Sequence, residues 1–450
     1  MSAPDAALSA PAVGRQESLD ADRTYRKIAL RLLPFIFICY VVSYLDRANV
    51  GFAKLQFTQD LGLSDAAFGL GAGLFYIGYI LFEVPSNFYL EKAGVRATLV
   101  RIMVAWGLIS ALMSIITSAN QYYGARILLG AAEAGFFPGV VLYLSYWFPA
   151  ARRARITSMF ILAVIVAGMF GGLVSGWIMQ QTAGWFGLKG WQVLFILEGI
   201  PAILLGIAAI FVLDDKPTDA SWLSASEKEM VRRELEADRK GKPALSLSRQ
   251  GFMDAFRDPR VYVAGLIYAL LGSGSTIVQI WYPTLIKAAG VADLTHVTLL
   301  TMIPYAVTGI AIVLVGRNSD RRQERRWHMA IPAAIGGVAF LLMGLPNLGV
   351  PVTIALLCVA AAGNYSAVTV FWTIPPQHLN GPSAAAGIAI ISSIGSGLGG
   401  FGGAAAVGWL KTATGTMFIG LSAVCVAVMC AALLTLVTFR DRAAATSGKA

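Results

Sequence analysis

The sequence predicts an all-α membrane protein of twelve transmembrane helices arranged as two halves of six. Three observations carry that prediction. Hydrophobic residues make up 57% of the 450 residues and charged residues 13%, against roughly 25% charged in soluble domains, and mean hydropathy is +0.67. Apolar stretches of roughly 20 residues recur along the whole length, as helical spans require, whereas barrel strands would alternate over about 10 residues. The basic residues are also partitioned by loop. With both termini cytoplasmic, 29 Lys and Arg fall in cytoplasmic segments, four (Lys54, Lys189, Lys287 and Lys411) outside and two (Arg47 and Arg126) in the membrane. That bias orients the chain and accounts for the net charge of +10 without a nucleic-acid partner.

In chain order, residues 1–27 are polar and basic, a disordered cytoplasmic tail with no short apolar core of a cleavable signal peptide. Residues 28–213 hold six spans, at 29–52, 66–90, 97–117, 121–146, 156–180 and 191–213. Residues 214–258 are the long polar linker, with a charged amphipathic stretch from Ser226 to Lys240. Residues 259–440 hold six more spans, at 259–286, 296–316, 328–346, 351–375, 384–409 and 415–439, before a tail at 441–450. Pro85, Pro138, Pro304 and Pro375-Pro376 are expected to kink or end helices. Residues 395–403 contain six glycines, which suits close helix packing.

Several chemistries are disfavoured. Cys39, Cys358, Cys425 and Cys430 lie in apolar spans without metal-ligand spacing, and His296, His328 and His378 fall at span ends or in loops. No metal site or cofactor is expected. The phosphate-cradling loop of an ATP-driven pump is missing, and no nucleophile–base set suggests an enzyme.

Charge inside the membrane is the informative feature. Asp46-Arg47 lies in the first span, and Arg126 and Glu133 in the fourth. A mid-bilayer charge costs a few kcal/mol and marks an interior cavity or a partner. Asp46 and Arg47 are about 100° apart on a helix and so meet different neighbours. The planar fork of Arg47 suits a substrate carboxylate; a structural ion pair between helices is the competing reading. Arg126 and Glu133 share a face but sit roughly 10 Å apart along the axis, too far for an easy direct pair. A buried acid balanced between burial and a nearby arginine can load and release a proton. Asp46 and Glu133 are therefore the expected proton carriers, with Arg126 tuning Glu133. The second-half spans contain no Asp or Glu, which places coupling in the first half. Glu198 in the sixth span reads as packing. Expected substrate contacts are Tyr44, Asn49 and Tyr79 in the first half, and Tyr268, Gln279, Asn364, Trp372 and Ser392 in the second. Tyr44 shares a face with Arg47, and Asn364 is polar in mid-span. For the aromatic residues the competing reading is lipid contact or an interfacial belt.

The halves also repeat. Asn87-Phe-Tyr-Leu-Glu91-Lys92-Ala-Gly94-Val-Arg96 follows the second span and Gly316-Arg-Asn-Ser-Asp320-Arg321-Arg-Gln-Glu-Arg325 the eighth. On this six-plus-six frame both loops resemble the major facilitator superfamily signature, Gly-x-x-x-Asp-Arg/Lys-x-Gly-x-Arg/Lys, over nearly all of residues 28–440. Asn87 and Glu91 depart from it. Tyr44-Leu-Asp46-Arg47-Ala-Asn49-Val-Gly51, Phe82-Glu83-Val-Pro85-Ser-Asn87 and Arg126-Ile-Leu-Leu-Gly130-Ala-Ala-Glu133-Ala-Gly135-Phe-Phe-Pro138 resemble its anion:cation symporter family, near permeases for tartrate, phthalate and hydroxyphenylacetate. One departure is Ser392, where these relatives carry asparagine.

The resemblance implies alternating access in a bacterial inner membrane, with both termini cytoplasmic. The substrate would be an organic carboxylate (a hydroxy-dicarboxylate, sugar acid or aromatic acid) imported with protons. It also implies a cytoplasmic gate at Glu83, Glu91, Lys92, Arg96, Gly316, Asp320 and Arg321, with Glu83 close to Lys92 and Arg101. The expected partners are the small organic anion and the bilayer, and the expected state is a monomer. The alternatives are a proton-independent exchanger or exporter, and a non-transporting sensor, which the short linker and small tails disfavour.

Overall fold

Twelve helices long and apolar enough to cross a membrane run through the computed structural model, which describes residues 10–239, 249–379 and 383–439. The first six are Asp20–Asp60, Asp65–Leu90, Val95–Ile115, Ala119–Trp147, Ala163–Gln181 and Gly190–Val212. The second six are Pro259–Ala288, Leu294–Arg322, Arg326–Met343, Val350–Phe371, Ala386–Thr414 and Met417–Thr438. The described residues contain no strand.

The first helix departs most from expectation, running unbroken from Ala10 to Asp60. Residues 10–27, expected to be disordered, are helical, because this polar extension finds partners. The Tyr25 ring packs 6.0 Å from Phe148. Asp22 pairs with Arg152 at 2.6 Å, and Lys27 with Glu227 of the linker at 2.9 Å. Burial alone would raise the Glu227 carboxyl, but Lys27 together with the Ser224 backbone and hydroxyl hydrogen bonds holds the group below its ordinary range. At its other end the helix continues past the expected limit at residue 52. Lys54, expected in an outer loop, is therefore inside a helix and 6% exposed.

The linker carries helices Ala225–Arg239 and Arg249–Arg257. Trp222 docks it by stacking on Trp147 at 5.7 Å, with the Arg31 guanidinium 5.0 Å over the Trp222 ring.

Glycine sets the spacing that builds the interior. A Cβ on Gly130 would lie 1.9 Å from the Phe75 carbonyl oxygen, and one on Gly78 2.1 Å from that of Ile127. Only hydrogen fits, so the second and fourth spans pack backbone to backbone, and Phe75 and Tyr79 face the charged stretch of span four. That span is itself broken after Glu133. Gly135 adopts φ 89° between Ala119–Glu133 and Phe136–Trp147, a conformation open to glycine at little cost. In the second half, π-turns interrupt span seven at Ile277–Trp281 and span eleven at Gly395–Gly399. Such turns often mark functional positions.

The two halves meet at the end of the bundle away from the linker. Gly69 packs on the Ala404 carbonyl and Gly408 on that of Asp65; added Cβ atoms would lie at 2.5 and 2.3 Å. At the linker end the signature loops stay within their own halves. Asp320 pairs with Arg325 at 2.7 Å, and the Arg96 backbone donates to Asp215 at 2.8 Å. Among the described residues, Lys92, Gly316 and Arg321 show no contact that joins the halves; the Glu91 side chain lies outside them. The expected closure by these loops is therefore not made in this conformation.

Candidate functional site

Two buried polar clusters occupy the first half. In one, Glu133 is fully buried and its Oε1 accepts from Arg47 Nε at 2.7 Å and from the Ser43 hydroxyl at 2.6 Å. Ser43 and Arg47 are one helical turn apart on span one, so a single helix face holds the carboxylate. The Arg47 side chain remains 25% exposed. Its Cζ lies 5.1 Å from the Tyr79 ring centre and 5.5 Å from that of Phe75.

Arg126 is 2% exposed and sits over the same Phe75 ring at 4.9 Å. Its Nε and Nη1 have no hydrogen-bond partner among the described residues. The expected tuning of Glu133 by Arg126 is therefore not a direct contact; Arg47 makes that contact instead. The seven-residue offset separates Arg126 from Glu133 along span four, and Arg47 reaches Glu133 from span one. Phe75 carries a guanidinium against it from each of two helices, a contact that favours arginine when desolvated.

The second cluster surrounds Asp46, 1% exposed. The Ser110 hydroxyl of span three donates to its Oδ1, and Asn49 Nδ2 approaches the same atom at 3.4 Å, while Oδ2 has no partner. Asn49, expected as a substrate contact, is thus turned into the first half beside Asp46. Glu198, also buried, accepts from Ser175 at 2.7 Å with its other oxygen unpartnered.

The halves face each other across a polar hub. Gln279 Nε2 donates to the Tyr44 hydroxyl at 3.0 Å, Tyr76 donates to Gln279 Oε1 at 3.4 Å, and the Tyr44 and Tyr365 hydroxyls are 3.1 Å apart. Tyr268 stacks on Phe371 at 5.5 Å and meets Trp372 edge-on at 4.8 Å, giving an aromatic wall. The structure thus brings together Arg47, Tyr79 and Glu133 in one cluster, places Tyr44 with Gln279 in the hub between the halves, and adds Ser43, Phe75 and Tyr76. Phe75 and Tyr79 are four residues apart on span two, a spacing that makes one helix face legible in sequence.

Other expected residues are placed differently. Asn364 is 0% exposed, with its amide 2.9 Å from the Ser275 hydroxyl. It braces spans seven and ten rather than facing a ligand. The truncation Asn364→Ala is expected to cost about 1–3 kcal/mol by orphaning a buried partner, seen as a lower melting temperature with substrate affinity unchanged. Ser392 is half-buried; its neighbour Ser393 crosses the halves, donating to Glu83 at 3.1 Å. The expected neighbours of Glu83 are Lys92 and Arg101, but Arg101 turns instead to Ser86 at 2.5 Å and to the Tyr89 ring at 4.6 Å. No metal-binding cluster occurs among the described residues.

Comparison with known proteins agrees with this architecture. The Major Facilitator Superfamily profile matches residues 36–404. The putative metabolite transport protein NicT of Pseudomonas putida is 44% identical, covering 82% of this chain and 84% of its own. A putative tartrate transporter of Agrobacterium vitis is 40% identical, covering 93% and 92%. A quinolone resistance transporter of Acinetobacter baumannii is 39% identical, covering 92% and 94%. Among solved structures, the partially occluded inward-open xylose transporter XylE from E. coli superposes with a TM-score of 0.70 at 16% identity, over 92% of this chain and 98% of that one. With twelve spans, charged residues buried between them and relatives of this coverage, the chain belongs to the Major Facilitator Superfamily and is a membrane transporter, not an enzyme.

Proposed function

We propose that this transporter is a proton-coupled symporter that imports an organic carboxylate across a bacterial inner membrane, with both termini cytoplasmic. The observation that carries the reading is the set of two arginines and two carboxyl groups, Asp46, Arg126 and Glu133 buried and Arg47 partly exposed and paired with Glu133. With both acids ionised the set is neutral. Each proton loaded adds a positive charge in a dry interior, where an uncompensated charge is costly. An incoming anion removes that cost, so proton and anion enter together.

The geometry suggests how. Protonation of Glu133 weakens its hold on Arg47 Nε and frees that guanidinium for a substrate carboxylate. Arg126, with two unpartnered nitrogens over the same Phe75 ring, attracts the anion from the other side. Asp46 is the second proton site. The Tyr44, Gln279 and Tyr365 hub and the Tyr268–Trp372 wall receive the rest of the substrate and join the two halves around it. Proton coupling also meets the energetics: a monoanion entering an inside-negative cell works against about 2.3 kcal/mol per 100 mV, and one co-transported proton cancels it.

The tartrate transporter among the relatives favours a hydroxy-dicarboxylate; sugar acids and aromatic acids fit the same fork and aromatic wall. A second reading, an exporter, is favoured by the quinolone resistance relative. Uptake of a panel of labelled organic acids into proteoliposomes, with an inward proton gradient and a protonophore control, separates them. Accumulation of one carboxylate that collapses with the protonophore is expected. Gradient-independent exchange, or quinolone movement with no carboxylate moving, overturns the reading.

A further inference from the structure

The end of the bundle away from the linker is closed by a charge cluster that spans the halves. Asp65, at the start of span two, binds Lys54 of span one at 2.6 Å through one oxygen and Lys411 of span eleven at 2.9 Å through the other. The backbone N–H of Ala66 donates to Thr412 at 2.8 Å. Beneath the pair, Phe68 meets Trp281 of the second half edge-on at 5.5 Å, and the Lys54 amine lies 4.8 Å from the Trp281 ring. Lys287 lies on the helix Tyr282–Ala288, which packs against span one, and makes no ion pair among the described residues. Of the four lysines assigned to the outer side, two therefore hold one carboxylate, with Lys287 on an element packed beside Lys54. The fourth, Lys189, is paired with Asp60 at 2.7 Å.

The charge count across the two halves is uneven. Lys54 and Asp65 belong to the first half, Lys411 and Lys287 to the second. When the halves part at this end, Lys54 keeps its carboxylate and the second-half rim loses its own. We propose that Lys411, with Lys287 beside it on the same rim, then forms an outer binding site for an organic carboxylate, whose Lys411 ammonium Asp65 occupies in the closed conformation. The arriving anion and Asp65 compete for the Lys411 ammonium. Anion binding thereby holds the outer side open until the substrate moves inward, and Asp65 returns as it leaves. This inference rests on the orientation and anionic substrate proposed above. It adds a site distinct from Arg47 and Arg126, whose charges lie in the first half.

Two measurements test it. In zero-trans uptake, Lys411→Gln and Lys287→Gln are each expected to raise KM for the transported carboxylate several-fold with kcat within about twofold. Lys411→Arg should restore affinity, and added salt should narrow the gap, since exposed charges are screened over about 10 Å at 0.1 M. A change in kcat alone for Lys411→Gln would reduce the cluster to a mechanical latch and overturn the proposal.

The second measurement does not depend on transport. With the four native cysteines replaced and Ala288→Cys introduced beside Lys287, an anionic methanethiosulfonate is expected to label from outside several-fold faster than a cationic one. Lys287→Gln and Lys411→Gln should each reduce that ratio. Equal rates for the two reagents would remove the anion site. If the charge preference is present but no carboxylate is moved by the wild-type protein, the function proposed above fails while the anion-attracting rim stands.

Discussion

Replacement of Glu133 by glutamine should bring carboxylate accumulation down to equilibrium. A two-unit inward pH gradient sustains about 100-fold accumulation with one coupled proton, since each unit is worth about 1.36 kcal/mol, and the Glu133→Gln variant should accumulate about onefold. The amide keeps the shape of the side chain and can still accept from Ser43, but it cannot take up or release a proton. Arg47 would then be permanently free, as it is when Glu133 is protonated. Counterflow, in which labelled substrate exchanges for unlabelled, should therefore survive. Both quantities can be read in the same proteoliposomes. Concentrative uptake by this variant at the wild-type ratio would remove Glu133 from the proton path.

Arg47→Lys should act on affinity instead. Lysine retains the positive charge but offers a single ammonium where arginine offers a fork. In the structure one edge of that fork is committed to Glu133 at 2.7 Å, so a carboxylate must be held by the nitrogens that remain. An ammonium cannot serve Glu133 and a substrate with the same geometry. Loss of a hydrogen bond to a charged group is worth about 1.5–3 kcal/mol, or roughly 10- to 150-fold in KM, with a smaller change in kcat. Binding to the purified protein by calorimetry checks the affinity directly. Unchanged binding by the Arg47→Lys variant would move substrate recognition to Arg126, the other guanidinium against Phe75.

The contrast between fold and site shows what a single sequence encodes plainly. Span number and position follow from hydropathy and from the distribution of lysine and arginine, properties each segment carries by itself. Hydropathy puts the second span at 66–90, and the helix is found at Asp65–Leu90. Pairing between helices depends on rotation and depth, which no local pattern records. A shared face of span four suggests that Arg126 tunes Glu133 from a distance, whereas the guanidinium that reaches Glu133 is that of Arg47 on span one. The apolar run ends near residue 52 and leaves Lys54 in a loop, yet the helix continues where Asp65, Phe68 and Trp281 give the amine partners. The polarity of Asn364 in mid-span suggests a ligand contact. A mid-span amide can equally bind a neighbouring helix, and here it does.

The Arg47–Glu133 pair also has a consequence for synthesis. Its two members are 86 residues apart in the chain. At 5–20 residues per second, the ribosome makes Glu133 roughly 4–17 s after Arg47. During that interval the first helix carries Asp46, Arg47 and Lys54 without the acid that will hold the arginine. It is a poor candidate for release into lipid by itself. The newborn helix must wait in a polar shelter at the insertion machinery until span four arrives, so the first four spans should enter the bilayer as a group rather than one by one.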